Sequence, residues 1–259
     1  MFRELFTIGG FTIYTYGLML ALAFFIAILL AYFRAKKAGL PPMIIIDTGI
    51  VVLIGSVVGA KLFYVLGHLP EYIENPGRLG DVLRAGGVFQ GGMIVAVILS
   101  VAYLYWKKQP VWLVADVAAP SIAIGQAIGR IGCFCAGCCY GKPVDQQELA
   151  WAVNFPPNAI APSGIYRHPV QIYEMLLMVV VFALLLLLWR VRKFDGQVFW
   201  AYVILYSVVR GGIVEWFRGD HGAVFLGLSG QQLISVFTLI VGIVFYVYLS
   251  LRGRVTKSA

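Results

Sequence analysis

Two arginines, Arg130 and Arg210, interrupt stretches of the sequence that are otherwise apolar. A charged residue near the centre of a membrane helix costs about 2.5–3.5 kcal/mol on insertion scales, so each needs a reason. No acid lies three or four residues from either arginine, which predicts that neither has a partner on its own helix. A guanidinium is a planar fork of donors that matches two phosphate oxygens at once. Arg210, which lies well inside a predicted membrane helix, therefore indicates a site for an anionic ligand, and a lipid phosphate is the nearest one.

Glu215 and Arg218 lie one helical turn apart, close behind Arg210. A pair at this spacing often neutralises itself, which would make both residues structural. Arg130 and Arg218 both lie near predicted helix ends, where arginine commonly extends towards the membrane surface. The residues alone leave a structural role and an anion-binding role open.

Four cysteines fall within seven residues: Cys133, Cys135, Cys138 and Cys139. A structural zinc site usually takes its ligands from two separated pairs, so this spacing would give a strained cage, and we expect no metal. Disulfides are plausible in an oxidising compartment, but adjacent cysteines do not readily bridge each other. We interpret the four as small packing residues, with a nucleophilic thiol activated by Arg130 as the alternative.

The elements that must position these residues are long and apolar. The 259 residues are 61% hydrophobic and only 12% charged, whereas soluble domains have about a quarter charged. Seven segments are long enough to span a bilayer, which predicts an all-α polytopic membrane protein with one domain over residues 1–259. These segments are Phe11–Phe33, Met43–Leu66, Val88–Trp106, Val111–Ile128, Pro169–Trp189, Gln197–Phe217 and Leu228–Leu251.

Basic residues cluster after the first, third, fifth and seventh predicted helices. By the positive-inside rule these ends are cytoplasmic, so the N-terminus lies outside and the C-terminus lies in the cytoplasm. The longer connections, at 67–87, 129–168 and 218–227, then form an extracytoplasmic loop cap that contains all three histidines. No basic stripe with interleaved aromatic residues is present, so no nucleic-acid partner is expected.

An ordered series of motifs follows this plan along the chain. They are YGLM around Tyr16, GGVFQGGMI around Gln90, the stretch Gly129–Gly141, RHPVQIYE around His168, and the series Tyr206, Arg210, Glu215 and Arg218. In order and spacing they resemble the bacterial phosphatidylglycerol–prolipoprotein diacylglyceryl transferases. No single motif is decisive, but the series covers nearly the whole chain.

The resemblance implies that a diacylglyceryl group moves from phosphatidylglycerol to the lipobox cysteine thiol of an exported precursor, releasing glycerol phosphate. The implied partners are phosphatidylglycerol, lipobox-containing precursors and membrane lipids, with no metal or other cofactor. The implied catalytic residues are Arg130, Arg210, Tyr16, Gln90 and Tyr206. The implied substrate-binding residues are Arg130, Arg210, Gly129, Gly141, Glu215, Arg218 and His168.

The chain departs from the family pattern at the position of a supposed base. Gln90 stands where the family has a histidine, and glutamine cannot accept a proton near neutral pH. The outward-facing candidates for another base are His68, His168 and His221, with water or a phosphate oxygen as alternatives. In the Gly129–Gly141 stretch, the family's asparagines and glutamate are Cys133, Ala136 and Cys138.

A second departure concerns the spacing from Arg210 to Glu215, which is five positions where the family has four. One extra residue in a helix is usually absorbed as a π-bulge. Gly211 and Gly212 would permit one, so we predict a π-bulge between Arg210 and Glu215.

Three further interpretations are weighed beside the family activity. A paralogue could use the same lipid donor with a different acceptor. A transporter is disfavoured because no pair of Gly- or Pro-broken helices recurs in two halves of the chain. A non-enzymatic scaffold would not need an unpaired Arg210.

Overall fold

The computed structural model describes residues 4–9, 11–75, 80, 82, 86–220 and 222–253. The described chain is mostly helical, and seven of its helices are long and apolar enough to cross a membrane. This confirms the predicted polytopic helical architecture. The spanning helices are α1 (Thr15–Lys37), α2 (Met43–Gly67), α4 (Phe89–Trp106), α5 (Val111–Ala136), α6 (Val170–Arg190), the composite Gln197–Phe217, and α9 (Gly230–Arg252). The short helix α3 (Leu69–Glu74) follows α2.

Short antiparallel strand pairs occupy part of the connecting segments. The pairs are β1 (Glu4–Ile8) with β2 (Phe11–Tyr14), β3 (Val153–Asn154) with β4 (Tyr166–Arg167), and β5 (Ala223–Phe225) with β6 (Leu228–Ser229). Strand β6 runs directly into α9, where Ser229 and Gln232 form a capping box.

Two predicted helix boundaries are wrong. The first helix begins at Thr15 rather than Phe11, because residues 11–14 pair with β1 as a strand. The fourth continues past Ile128 to Ala136, so the first part of the Gly129–Gly141 stretch is helical. Residues 129–136 include no proline, and α5 ends only where Gly137 adopts a positive φ of 69°.

The chain divides into two compact units, residues 1–34 with 115–259 and residues 35–114. In the unit of residues 35–114, α2 packs closely on α4. A side chain added at Gly55 would lie 3.1 Å from the Cα of Ala96, and one at Gly59 would lie 2.6 Å from the Cβ of Val95. These two glycines therefore form the small-residue helix contact that their spacing indicates. The single domain over residues 1–259 stays a prediction.

In the larger unit, the core lies between α5, α6 and the composite helix. Small residues at every fourth position of α5 face this core and are almost fully buried: Ala119, Ala123 and Ala127. At the other end of α5 from Arg130, both carboxylate oxygens of Asp116 accept backbone N–H bonds at 2.8 Å, from Gly196 and Phe199. Because Asp116 fixes α5 to the start of the composite helix, the two helices hold a defined register.

The composite helix contains α7 (Gln197–Ser207), a π-helical segment (Val208–Val214) and α8 (Glu215–Phe217). The predicted π-bulge between Arg210 and Glu215 is thus confirmed. A π-helix closes its hydrogen bonds between residues five apart, so residues at that spacing share one face. Glu215 consequently lies on the same face of the helix as Arg210.

Candidate active site

Arg130 lies near the end of α5 and forms an ion pair with a carboxylate of the neighbouring helix. Its Nη2 donates to Oε1 of Glu174 at 2.6 Å, and the side chains are 17% and 2% exposed. Glu174 lies in the second turn of α6, so two packed helices build the pair. Because the partner lies on another helix, the spacing of residues around Arg130 does not predict it.

Arg210 is buried and also has a carboxylate partner. Its Nη1 donates to Oε2 of Glu215 at 3.0 Å, and Oε1 of Glu215 accepts from the Ser229 hydroxyl at 2.6 Å. The prediction that Arg210 has no partner on its own helix is wrong. The search at three and four residues assumed α-helical geometry, whereas the π-helical segment brings position i+5 onto the same face.

Two tyrosines connect these ion pairs to each other and to the cysteines. The phenol of Tyr206 interacts electrostatically with Arg130, Arg210 and Glu174. The phenol of Tyr16, on α1, interacts with Arg130 and with three of the cysteine thiols, and this side chain is 43% exposed. Four of the five predicted catalytic residues therefore belong to one cluster.

Arg218 adds a third cation to this cluster. Its Nε and Nη2 donate to the two carboxylate oxygens of Asp220 at 2.7 Å, which is bidentate pairing. Burial lowers the pKa of Arg218, but the electrostatic interactions with Cys139 and Asp220 more than offset this, and the net pKa is raised. Arg218 and Arg130 also repel each other electrostatically, so both contribute to the positive potential of this cluster.

The predicted site glycines differ in their surroundings. A side chain added at Gly129 would meet nothing within 4 Å, whereas one at Gly141 would collide with His168 and Val170. The backbone of Gly141 also forms a β-bridge with Arg218. Gly141 is therefore a close-packing position beside Arg218, and Gly129 is not.

His168 lies immediately before α6, next to Gly141. Its Nδ1 is 3.3 Å from the hydroxyl of Tyr173, and its ring centroid is 5.2 Å from that of Phe217. Burial, with a smaller effect from the Lys142 charge, lowers the pKa of His168. The imidazole is consequently neutral in the neutral pH range.

Two other predicted residues belong to the unit of residues 35–114. Gln90 lies exposed in the first turn of α4. His68 ends α2, where its Nδ1 is 2.9 Å from the carbonyl oxygen of Tyr64 and its ring stacks on the Tyr64 ring. His221 lies outside the described residues.

The cysteines do not behave as a set of four. The Sγ atoms of Cys133, Cys138 and Cys139 lie within 4.8 Å of one another, and Nη1 of Arg130 is 3.8 Å from the Cys133 sulfur. Hydrogen bonds with the thiols of Cys133 and Cys138 lower the pKa of Cys139, and the charges of Arg218 and Arg130 act in the same direction. These thiols are part of the polar cluster rather than isolated packing groups.

The comparison with protein families bears directly on this arrangement. A family model described as prolipoprotein diacylglyceryl transferase matches residues 3–248. The chain belongs to this family. The resemblance carried by the ordered motifs is thereby confirmed, and membership of the prolipoprotein diacylglyceryl transferase family makes the protein a transferase.

Curated relatives agree with the family model. Three named phosphatidylglycerol–prolipoprotein diacylglyceryl transferase come from Clostridium tetani (strain Massachusetts / E88), Halalkalibacterium halodurans and Bacillus cereus (strain G9842). The first is 43% identical over 92% of this chain and 94% of its own length. The second is 32% identical over 98% and 89%, and the third 31% identical over 96% and 93%. The similarity therefore extends over nearly the full length of each protein.

Several residues of the cluster in this prolipoprotein diacylglyceryl transferase family member were not among the predicted site residues. Glu174, Asp220 and Ser229 complete the ion pairs described above. Glu174 carried a usable signal, because it is an acid within a predicted membrane span and charge there needs a reason. Arg167 is buried, donates to the Gly141 carbonyl oxygen at 3.2 Å and stacks over the Tyr140 ring. Nothing in the spacing of the sequence motifs predicts that Arg167 lies beside Gly141.

Proposed function

We propose that this protein transfers the diacylglyceryl group of phosphatidylglycerol to the lipobox cysteine thiol of exported precursor proteins and releases glycerol phosphate. The family and its relatives support the class of reaction. The observation that supports the location of the site is the presence of two ion pairs, Arg130–Glu174 and Arg210–Glu215. The phenol of Tyr206 interacts electrostatically with both pairs.

The two arginines would bind the phosphate of the donor lipid. A guanidinium carries five N–H donors, and each ion pair engages one terminal nitrogen. The carboxylates orient the guanidinium planes and compensate their charge in a buried setting. Phosphate oxygens would then accept from other N–H groups of the two forks, with Tyr206 and Tyr16 positioned to hydrogen bond the headgroup.

The chemical step displaces a phosphate from carbon. The sulfur of the acceptor cysteine attacks the diacylglyceryl carbon bonded to the phosphate oxygen, so a C–S bond forms as the C–O bond breaks. The electron pair leaves on the phosphate oxygen, which raises the negative charge of the departing glycerol phosphate. Guanidinium donors fixed at that oxygen stabilise charge that develops only in the transition state, which is how such groups accelerate reactions.

The acceptor thiol must lose its proton before attack, because the thiolate is the nucleophile. We propose His168 as the proton acceptor, since burial keeps its imidazole neutral and it adjoins Gly141 beside Arg218. Gln90 would then contribute hydrogen bonds only.

Replacing His168 with glutamine is expected to lower kcat/KM by about a hundredfold, the low end of general base catalysis. The pKa of His168 is depressed, so the base form is lost only as pH falls below the ordinary histidine value of about 6.5. The wild-type pH–rate profile should decline below that pH, and H168Q should lack this decline. The control is Tyr173→Phe, which removes the phenol at 3.3 Å but keeps the imidazole, and so the acid decline. An unchanged profile in H168Q would assign the proton to another acceptor.

We also propose that the cluster faces the extracytoplasmic side of a bacterial plasma membrane. The end of α5, the start of α6, the end of the composite helix and the start of α9 all contribute to it. The basic clusters adjoin the opposite ends of these helices, and the positive-inside rule assigns those ends to the cytoplasm. On this assignment the N-terminus lies outside, the C-terminus lies inside, and the loops cap the site.

Mass spectrometry of a lipobox peptide incubated with the purified protein and phosphatidylglycerol tests the reaction. We expect the peptide to gain one diacylglyceryl unit and glycerol phosphate to appear in equal amount. A peptide with serine in place of the lipobox cysteine should remain unmodified. Release of glycerol phosphate without peptide modification would instead indicate a paralogue that uses another acceptor.

A further inference from the structure

The end of α5 brings Cys133 together with Cys138 and Cys139, which lie beyond the helix. The helix ends in a Schellman motif, in which the Cys138 N–H donates to the Cys133 carbonyl oxygen at 3.1 Å and the Gly137 N–H donates to that of Phe134 at 3.2 Å. Gly137 and Cys139 both have positive φ, 69° and 60°. This reversal folds residues 138–139 back against Cys133.

Helical geometry separates the fourth cysteine from this group. Cys135 follows Cys133 by two residues, which is about 200° around the helix axis, so their side chains leave on opposite faces. The three converging Sγ atoms lie within 4.8 Å of one another, and all three cysteines are free thiols. Only three of the four cysteines therefore lie together. A metal ion at this group would not need the strained four-cysteine cage that the spacing indicates.

We propose that Cys133, Cys138 and Cys139 bind one thiophilic d10 cation, such as Zn2+ or Cd2+, as a three-sulfur site with a fourth position open to a non-protein ligand. Thiolates select such cations, and a Zn–S distance of about 2.3 Å implies sulfurs about 3.8 Å apart in a tetrahedron. Small rotations of the three side chains bridge the difference from the present separation of up to 4.8 Å.

The surrounding charges suit this occupant. Three thiolates and a divalent cation carry a net charge of −1. Arg130 lies 3.8 Å from the Cys133 sulfur, and Arg218 interacts electrostatically with Cys139. Positive groups therefore flank an anionic complex. A cation held by Cys133 and by two residues beyond the helix end would also fasten α5 to the segment that leads to Gly141.

The test is titration of the detergent-solubilised, phosphine-reduced protein with Cd2+, followed by the ultraviolet sulfur-to-cadmium charge-transfer absorption. We expect one Cd2+ per chain, with affinity reduced more than about a hundredfold in C133S, C138S and C139S, since even outer-shell changes cost 10–100-fold. The matched control is C135S, which should bind as the wild type does. Cd2+ should also raise the thermal unfolding temperature of the wild type and C135S but not of C138S.

Two results would overturn the proposal. One is a reduced wild-type protein, with four thiols titrating, that shows no charge-transfer absorption. The other is absorption lost equally in C135S, or retained in all three single variants, which would place cadmium elsewhere. The cadmium titration and the thermal unfolding measurement do not depend on diacylglyceryl transfer. They therefore distinguish failure of this proposal from failure of the proposed reaction.

Discussion

Arg210→Ala is expected to lower kcat/KM for lipobox-peptide modification by about a thousandfold. Removing one donor aimed at developing charge costs 10²–10³ in rate, and a guanidinium supplies more than one. The same change removes the guanidinium that pairs with Glu215, which is 7% exposed. Breaking a buried pair on one side destabilises by about 3–5 kcal/mol, so lower activity alone would not separate catalysis from folding.

The double variant Arg210→Ala/Glu215→Gln makes that separation. Glutamine keeps an oxygen for the Ser229 hydroxyl and removes the buried charge that Arg210 had balanced, so thermal stability should recover most of the loss. Activity should remain about a thousandfold low, because the phosphate donor is still missing. Arg252→Ala is the control, since this exposed arginine at the end of α9 contacts the Tyr248 hydroxyl outside the cluster. Activity that returns together with stability would make the Arg210–Glu215 pair structural.

The spanning helices could be predicted because each is an apolar run of nearly bilayer length. The boundaries that failed were decided by other forces. Residues 11–14 contain Phe11 and Ile13 and adjoin the apolar run of α1, but backbone pairing with β1 makes them a strand. The sequence places residues 129–136 in a connecting loop, yet they contain no proline and continue α5 as far as Ala136. Composition therefore indicates the membrane core more reliably than the helix ends.

The site shows the same division between local and long-range information. The π-bulge could be predicted because the family resemblance indicates one extra residue within a single helix. The Arg130–Glu174 pair joins residues 44 positions apart on two helices, and no local pattern encodes it. The convergence of three cysteines depends on the φ angles of Gly137 and Cys139, which the spacing does not reveal. Residue types thus indicated a phosphate site, while the partners of each residue required the packed structure.

Arg130→Ala should reduce kcat/KM by about a thousandfold, and Arg130→Lys tests why. Lysine keeps the positive charge and can pair with Glu174, but it is a point charge without the planar fork. If phosphate is bound by two parallel N–H···O bonds, R130K should still lose at least about tenfold in activity while remaining as stable as the wild type. Single-turnover measurement with saturating phosphatidylglycerol would report the chemical step.

A matched arginine in the same compact unit controls for the general effect of this substitution. Arg34 is likewise partly buried: its Nε donates to the Val117 carbonyl oxygen at 3.2 Å, and its guanidinium lies over the Trp189 ring. Arg34→Lys should leave the single-turnover rate within about twofold of the wild type, as expected for a residue outside the site. A rate for R130K equal to that of R34K would show that charge alone suffices at Arg130. A selective loss in R130K would instead mean that the geometry of the guanidinium, held by Glu174, matters as the phosphate departs.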